Sequence, residues 1–350
     1  MKTLVIGDLH FDDKPLGLLA AQKEAVLKIC RENTECSKVI FLGDLMMHRH
    51  PRPTVLLALK EVMDEVCKTK EVFILRGNHD SVTKADDGIT SLSLFEKPET
   101  QQLIPHPRNK TKQIHVITET CYNHRYEWAF IPHYEDDEKI KEDLSKVPEG
   151  YMVFGHFGYN GVLDSAGDGD FGLLVSDFKN PTILGHIHRE SNKGSVTVLG
   201  TPYSTNFGEA GKDCYYGILT GSSLEKVPTE GGPRHLVVDY DKVEENLDWI
   251  NADTSPADFT LLRININTIN EDQDQVATLR DSITAPFVEI MYKPLLDAKE
   301  EFETENKVFT TALNDELIEH YINSSNASIN KDDLLSGLKL IHENKQNRDI

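Results

Sequence analysis

Cysteine is scarce and badly placed for chelation or cross-linking. Cys30, Cys36, Cys67, Cys121 and Cys214 are odd in number and scattered, with no Cys-x-x-Cys pair. A thiolate metal site and a disulfide framework are therefore not expected, and the pattern suits reduced thiols in a cytoplasmic protein. Long apolar runs are missing too. None reaches the length a bilayer-spanning helix needs, so no membrane partner is expected. The opening stretch Met1–Asp8 has one Lys and a short apolar run before Gly7 and Asp8. That is too little for a signal-peptide core and reads as a first strand. Positive charge is also in short supply, with 37 Lys+Arg against 58 Asp+Glu and a net charge of −21. Residues 201–350 hold 13 basic against 28 acidic residues, a net −15, whereas residues 1–200 hold 24 against 30, a net −6. Such a chain is repelled by polyanions unless metals or a partner compensate.

What is present is a sizeable core, since 39% of the 350 residues are hydrophobic. The length fits a catalytic domain with a smaller appended module. Short apolar runs at Thr3–Ile6, Val39–Leu42 and Val72–Leu75 alternate with helical spacing over Leu16–Arg31 and Thr54–Cys67. This rhythm predicts parallel strands joined by right-handed crossovers, with their C-terminal ends on one edge. Further strands are predicted at Ile114–Ile117, Trp128–Ile131, Met152–Phe154, Thr182–Leu184, Val196–Leu199, Tyr216–Leu219 and Leu236–Val238, and a charged helix at Asp136–Lys146. The Gly- and Asp-rich block Gly155–Gly172 reads as loop and the acidic stretch Asp239–Pro256 as linker. Beyond it, Asp258–Asn267, Gln273–Ile283 and Phe287–Tyr292 form a small β-α-β module.

The chemistry lies in what ends the strands. The first ends in Asp8-Leu9-His10, the second in Gly43-Asp44 and the third in Gly77-Asn78-His79-Asp80. Later strands end in Gly155-His156 and Gly185-His186-Ile187-His188. Each fragment alone is commonplace, because Gly-Asp after a strand is usually a turn and Gly-His a surface loop. Five of them at successive strand ends form a set of oxygen and imidazole donors suited to Mn, Fe or Zn. Two such ions about 3.5–4 Å apart clamp the attacking and leaving oxygens of a phosphoryl displacement.

In order and content this set resembles the calcineurin-like metallophosphoesterase family, from about Leu4 to about Leu219. The resemblance implies an α/β fold, a four-layer α/β/β/α sandwich with the metals at its edge. It also implies two divalent ions, manganese first with iron or zinc left open. Asp8, His10, Asp44 and His188 would hold the first ion. Asp44 would bridge, and Asn78, His156 and His186 would hold the second. His79 would be the catalytic histidine and Asp80 the carboxylate that orients it.

Within the family, Gly43-Asp44-Leu45-Met46-Met47-His48-Arg49-His50-Pro51-Arg52 is similar to a block of double-strand-break-repair nucleases of the SbcD type. Leu199-Gly200-Thr201-Pro202-Tyr203 is similar to one in phage recombination endonuclease subunits. That likeness implies a DNA exo- or endonuclease paired with an SMC-like ATPase, a homodimer, and a host-cytoplasmic location for a phage-encoded chain. It divides the chain into a nuclease domain at 1–240, a capping module at 258–293 and a helical tail at 295–350 that docks on the ATPase. One departure stands out, because these nucleases place a helper histidine where this chain has Met47. Either a shifted loop brings His48 in as a catalytic residue, or His48-Arg49-His50 is an exposed loop. Arg108, Lys110 and Lys112 form a short basic cluster, either a solvated loop or a DNA-backbone contact. Two other classes stay open: a stand-alone phosphodiesterase or phosphatase on small phosphoesters, and a metal-free scaffold. The complete ligand set weighs against the scaffold.

Overall fold

The structure is a computed structural model that describes residues 2–85, 88–95, 113–164, 167–168, 171–266 and 273–292. The chain divides into two units, Met1–Leu295 and Leu296–Ile350. The second unit, which is the predicted docking tail, and the cluster Arg108, Lys110 and Lys112 lie outside the described residues. In chain order the described strands are β1 (Lys2–Ile6), β2 (Cys36–Phe41), β3 (Glu71–Leu75), β4 (Ile114–Ile117), β5 (Cys121–Asn123), β6 (Trp128–Ile131), β7 (Met152–His156), β8 (Leu163–Asp164) and β9 (Gly167–Asp168). They continue as β10 (Thr182–Gly185), β11 (Ser191–Lys193), β12 (Val196–Val198), β13 (Tyr215–Thr220), β14 (Ser223–Pro228), β15 (Pro233–Asp239), β16 (Phe259–Ile266) and β17 (Phe287–Tyr292).

Two six-stranded sheets face each other, ordered β14-β13-β1-β2-β3-β4 and β11-β12-β10-β7-β6-β5. Strands β1 to β4 are mutually parallel, as are β12, β10, β7 and β6, with antiparallel strands at the margins. The inner strands are apolar on both faces, and alternate residues feed different cores. Val5, Ile40 and Phe73 point between the sheets, where they meet Trp128, Phe130 and Phe154. Their neighbours Leu4, Val39 and Val72 face outward with Val26, Ile29, Leu59 and Val62 of two helices. These are α1 (Leu18–Glu32) and α2 (Pro53–Val66). On the far side, Ala129, Val153 and Leu184 meet Ile140 and Leu144 of the helix Asp137–Lys146. The layering is therefore helices, sheet, sheet, helix. Proline at the first position of α2 presets its φ without forfeiting a helical hydrogen bond. The helix Asp137–Lys146 starts on Asp136, whose side chain accepts from Glu138 N–H at 3.0 Å.

The third sheet runs β15-β16-β17, all parallel. It takes in β15, which lies ahead of the 240 boundary drawn from the sequence. The stretch read as a linker is a connection inside this module: Val243 and Ile250 are buried with Leu236, Leu262 and Ile264. Polar composition hid it, because those two apolar anchors are seven residues apart. The block Gly155–Gly172 carries the short β8-β9 hairpin.

Candidate metal centre

The residues expected to hold metal converge at the C-terminal edges of parallel strands from both sheets. Asp8 and His10 follow β1, Asp44 follows β2, Asn78 follows β3, His156 closes β7, and His186 and His188 follow β10. Turning the backbone there demands unusual geometry. His10, Asp44 and His186 all have positive φ, at 45°, 48° and 75°. For non-glycine residues this costs about 1–3 kcal/mol each, so the surroundings must enforce it. They do: the N–H groups of Leu9 and His10 both donate to Asp44 O, at 3.0 and 2.9 Å. Gln22, buried on α1, donates to His10 O and accepts from Asp12 N–H, both at 2.9 Å. Two glycines make room. Any Cβ at Gly43 would lie 2.4 Å from His156 Nδ1, and one at Gly77 would lie 2.1 Å from Asp44 Oδ1.

Asp44 belongs to two groups of donor atoms that each lie within 4.8 Å of one another, one with His10 and His79 and one with His156 and His186. That is the geometry a bridging carboxylate needs. On the first side, His10 Nε2 and His188 Nε2 face each other at 2.9 Å. On the second, Asn78 Oδ1 lies 3.1 Å from His156 Nε2 and 3.0 Å from His186 Nδ1, while Asp44 Oδ2 is 3.3 Å from His156 Nε2. His156 Nδ1 donates to Leu42 O at 2.7 Å, which reserves Nε2 for the centre. Asp8 is fully buried; its carboxylate accepts from His186 N–H and lies 3.4 Å from His156 Nδ1.

Electrostatics make the cluster receptive to cations. Burial pushes His10 and His186 down to about 3, so both are neutral and keep lone pairs to donate. Burial pushes the Asp8 carboxyl up to about 6, with His156 opposing and Asp44 adding. Burial also disfavours a charge on His156, but Asp44 and Asp8 outweigh it and hold that imidazole up at about 9. Asp44 and Asp8 thus favour positive charge at His156, a role a divalent ion would take over. His10 Nδ1 is buried without a hydrogen-bond partner. Nitrogen and oxygen donors of this kind, with no thiolate among them, fit Mn, Fe or Zn.

Two expected roles change. Asp80 does not orient His79. Its carboxylate accepts from Leu45 N–H at 3.0 Å and Gly77 N–H at 2.9 Å, which staples the two ligand loops together. His79 is oriented instead by Met47 O, 2.5 Å from its Nδ1, and its N–H donates to Asp44 Oδ1 at 2.8 Å. His48 does not join either donor group. Its side chain is 69% exposed and lies 3.9 Å from Asp12 Oδ2. The backbone turn that sends Met47 O to His79 leaves the next side chain at the rim, beside Asp12, His50 and Arg52.

Two contributors, Arg76 and Glu209, escaped the sequence reading. Arg76, almost wholly buried, donates to His133 O and Ser81 Oγ, and so fixes the loop that carries Asn78. The His133 ring stands 5.8 Å from that of His186, on the wall of the cleft. Glu209, 3% exposed, lies 2.5 Å from His188 Nδ1. A contact between a strand-end histidine and a turn 21 residues later leaves no local pattern; the only pointer was the Leu199–Tyr203 block just ahead of Glu209.

A family model described as calcineurin-like phosphoesterase matches residues 1–190, which span every ligand named above. One similar solved structure is described as a novel archaeal phosphodiesterase, at 13% identity and a TM-score of 0.31, covering 65% of this chain and 99% of that one. An overlap that slight has no bearing on function. No curated protein matches.

Proposed function

Because the chain belongs to the calcineurin-like phosphoesterase family, we propose that it is a two-metal phosphodiesterase that cuts DNA, as the nuclease subunit of a recombination or break-repair complex with an SMC-like ATPase. The observation that carries the reaction class is Asp44, shared between two clusters of metal donors. Asp8, His10, Asp44 and His188 would hold one ion, and Asp44, Asn78, His156 and His186 the other, with manganese the preferred metal. When bound, the ions supply Lewis-acid polarisation of the phosphoryl group and an activated water. His79 Nδ1–H is committed to Met47 O, so it is the doubly protonated ring that would carry on Nε2 the proton handed to the departing oxygen. Asn78 and the buried Asp80 keep that loop in register with Asp44.

Support for DNA comes from the blocks around Asp44 and Tyr203 and from the small module, whose β15 lies directly against the turn before Glu209. With His48 at the rim rather than in the centre, endonuclease or plain diesterase action is favoured over exonuclease action. The net charge of −21 favours a second reading, a stand-alone enzyme on small phosphoesters. One panel separates them: manganese with bis-para-nitrophenyl phosphate, linear and circular DNA, and pull-down of an SMC-like ATPase. A nuclease subunit cuts DNA and retains the ATPase. A small-molecule enzyme turns over only the chromogenic diester, and that result would overturn the nuclease reading.

A further inference from the structure

After β12 the chain runs through Leu199–Tyr203 into Ser204-Thr205-Asn206 and the single 3-10 turn Phe207–Glu209. This turn folds back on the metal centre and delivers one carboxylate. Glu209 Oε1 meets His188 Nδ1 at 2.5 Å, and accepts from Thr205 Oγ1 at 2.9 Å and Asn206 Nδ2 at 2.6 Å. Oε2 accepts from Thr205 N–H at 2.7 Å. Both oxygens are thereby committed, and the buried side chain has no slack. With the Nδ1 proton given to Glu209, the remaining lone pair of His188 is on Nε2, the atom that faces His10 Nε2 at 2.9 Å. The turn is pinned from behind as well. Ser204 Oγ accepts from His235 N–H at 2.7 Å and lies 3.0 Å from His235 Nδ1. His235 belongs to β15, so the contact reaches from the third sheet to within one residue of Thr205.

We propose that Glu209 is a positioning residue for the first metal ion, fixing the tautomer and ring plane of His188, and that the small module anchors it through Ser204 and His235. This rests on the ligand set proposed above. The chemistry is specific to a carboxylate. A glutamine at 209 has only one acceptor oxygen: turned to His188 Nδ1 it sets its NH2 against the Thr205 N–H, and turned to Thr205 it offers an N–H to Nδ1 and moves the imidazole proton to Nε2, the atom that must ligate. Carboxylates behind metal-bound histidines act in this way, and their loss weakens metal binding by about 10- to 100-fold.

The test is calorimetric titration of manganese into the metal-free full-length chain, with the melting temperature of each metal-free protein alongside. The parent should take up two ions. Glu209→Gln should weaken one of them by about 10- to 100-fold and leave the other unchanged, even if the lost buried hydrogen bond lowers the metal-free melting temperature. Ser204→Ala should weaken the same ion by a smaller factor. Glu209→Asp, which keeps the charge on a shorter arm, should fall between parent and Gln, and serves as the test should the Gln variant not fold. A parent that binds no ions refutes the ligand set itself. A parent with two ions and Glu209 variants that match it overturns the positioning role. So does equal weakening of both ions together with a lowered metal-free melting temperature, which marks a purely structural part. Unchanged binding in Ser204→Ala overturns the anchoring by the module.

Discussion

At the scale of single residues, Asp44 and His79 separate holding metal from doing chemistry. Burial works against a charge on Asp44, but His156 and His10 outweigh it and hold the carboxyl well below the usual range. Asp44→Asn removes that charge and one bridging oxygen while keeping the shape. It should lose activity and at least one ion, as elemental analysis of purified variant and parent would show. Two retained ions with normal turnover would refute the bridging role. His79 should behave differently, because its Nδ1 is spent on Met47 O and its neighbour Asn78 does the holding. His79→Ala should keep both ions and lose about 10²- to 10⁴-fold in rate, the usual worth of one general acid. Loss of metal in that variant would make His79 a ligand. The residues proposed to hold metal were legible in the sequence because each lies at or just past the end of a buried apolar run. The partners of those residues were not. Whether Asp80 faces His79 or two backbone N–H groups depends on a loop's course, and no spacing rule reports it. Where His48 points was equally hidden, since it hangs on the one carbonyl at Met47.

Among the elements, the strands buried on both faces could be read directly, and the polar edge strands β5, β11 and β14 could not. Inner strands such as β2 and β7 are short unbroken apolar runs. Edge strands β5, β11 and β14 carry Asn, Lys, Ser and Glu, and their pairing is settled by a neighbour rather than by their own pattern. The ends of the inner strands are also where the fold tolerates least. Gly77 ends the third parallel strand's approach, and a Cβ there would stand 2.1 Å from Asp44 Oδ1 and 2.3 Å from Asp44 N. Neither atom can give way, since the Asp44 carbonyl receives two N–H donors and its carboxylate a third. Gly77→Ala should therefore push the two ligand loops apart. We expect loss of bound metal and activity with the circular dichroism of the sheets preserved, because the core residues of β3 lie behind the glycine. A Gly77→Ala protein that binds both ions as the parent does would show that the loops have room the distances deny.

For the whole molecule, the small module matters because it is joined to the centre by buried polar contacts. Because its composition is that of any other half-buried strand, the sequence reading put β15 with the strands before residue 240, whereas β15 pairs with β16. His235, in that strand, is 6% exposed, bonds Ser204 and stacks edge-on against Phe207 at 4.8 Å. Burial pushes its imidazole down to about 4, with Glu209 pulling upward and Arg263 downward. An unfolded histidine titrates near 6.5. Between these values the unfolded chain holds a proton that the native chain refuses, so stability rises with pH across that window. The contribution is complete above about pH 6.5 and is lost as the pH falls towards 4. His10 and His186 are pushed in the same direction in the metal-free protein, so the parent's decline is shared among them. A variant isolates one part. His235→Gln can still bond Ser204 but cannot take up the proton. Its melting temperature should fall less between pH 7 and pH 5 than the parent's, with calorimetry of both metal-free proteins as the measure. Equal falls would mean that the contact between module and centre carries none of the acid sensitivity. The module would then be held by the apolar contacts of Phe259 and Leu261 with Leu18 and Ala21 of α1, which acid leaves untouched.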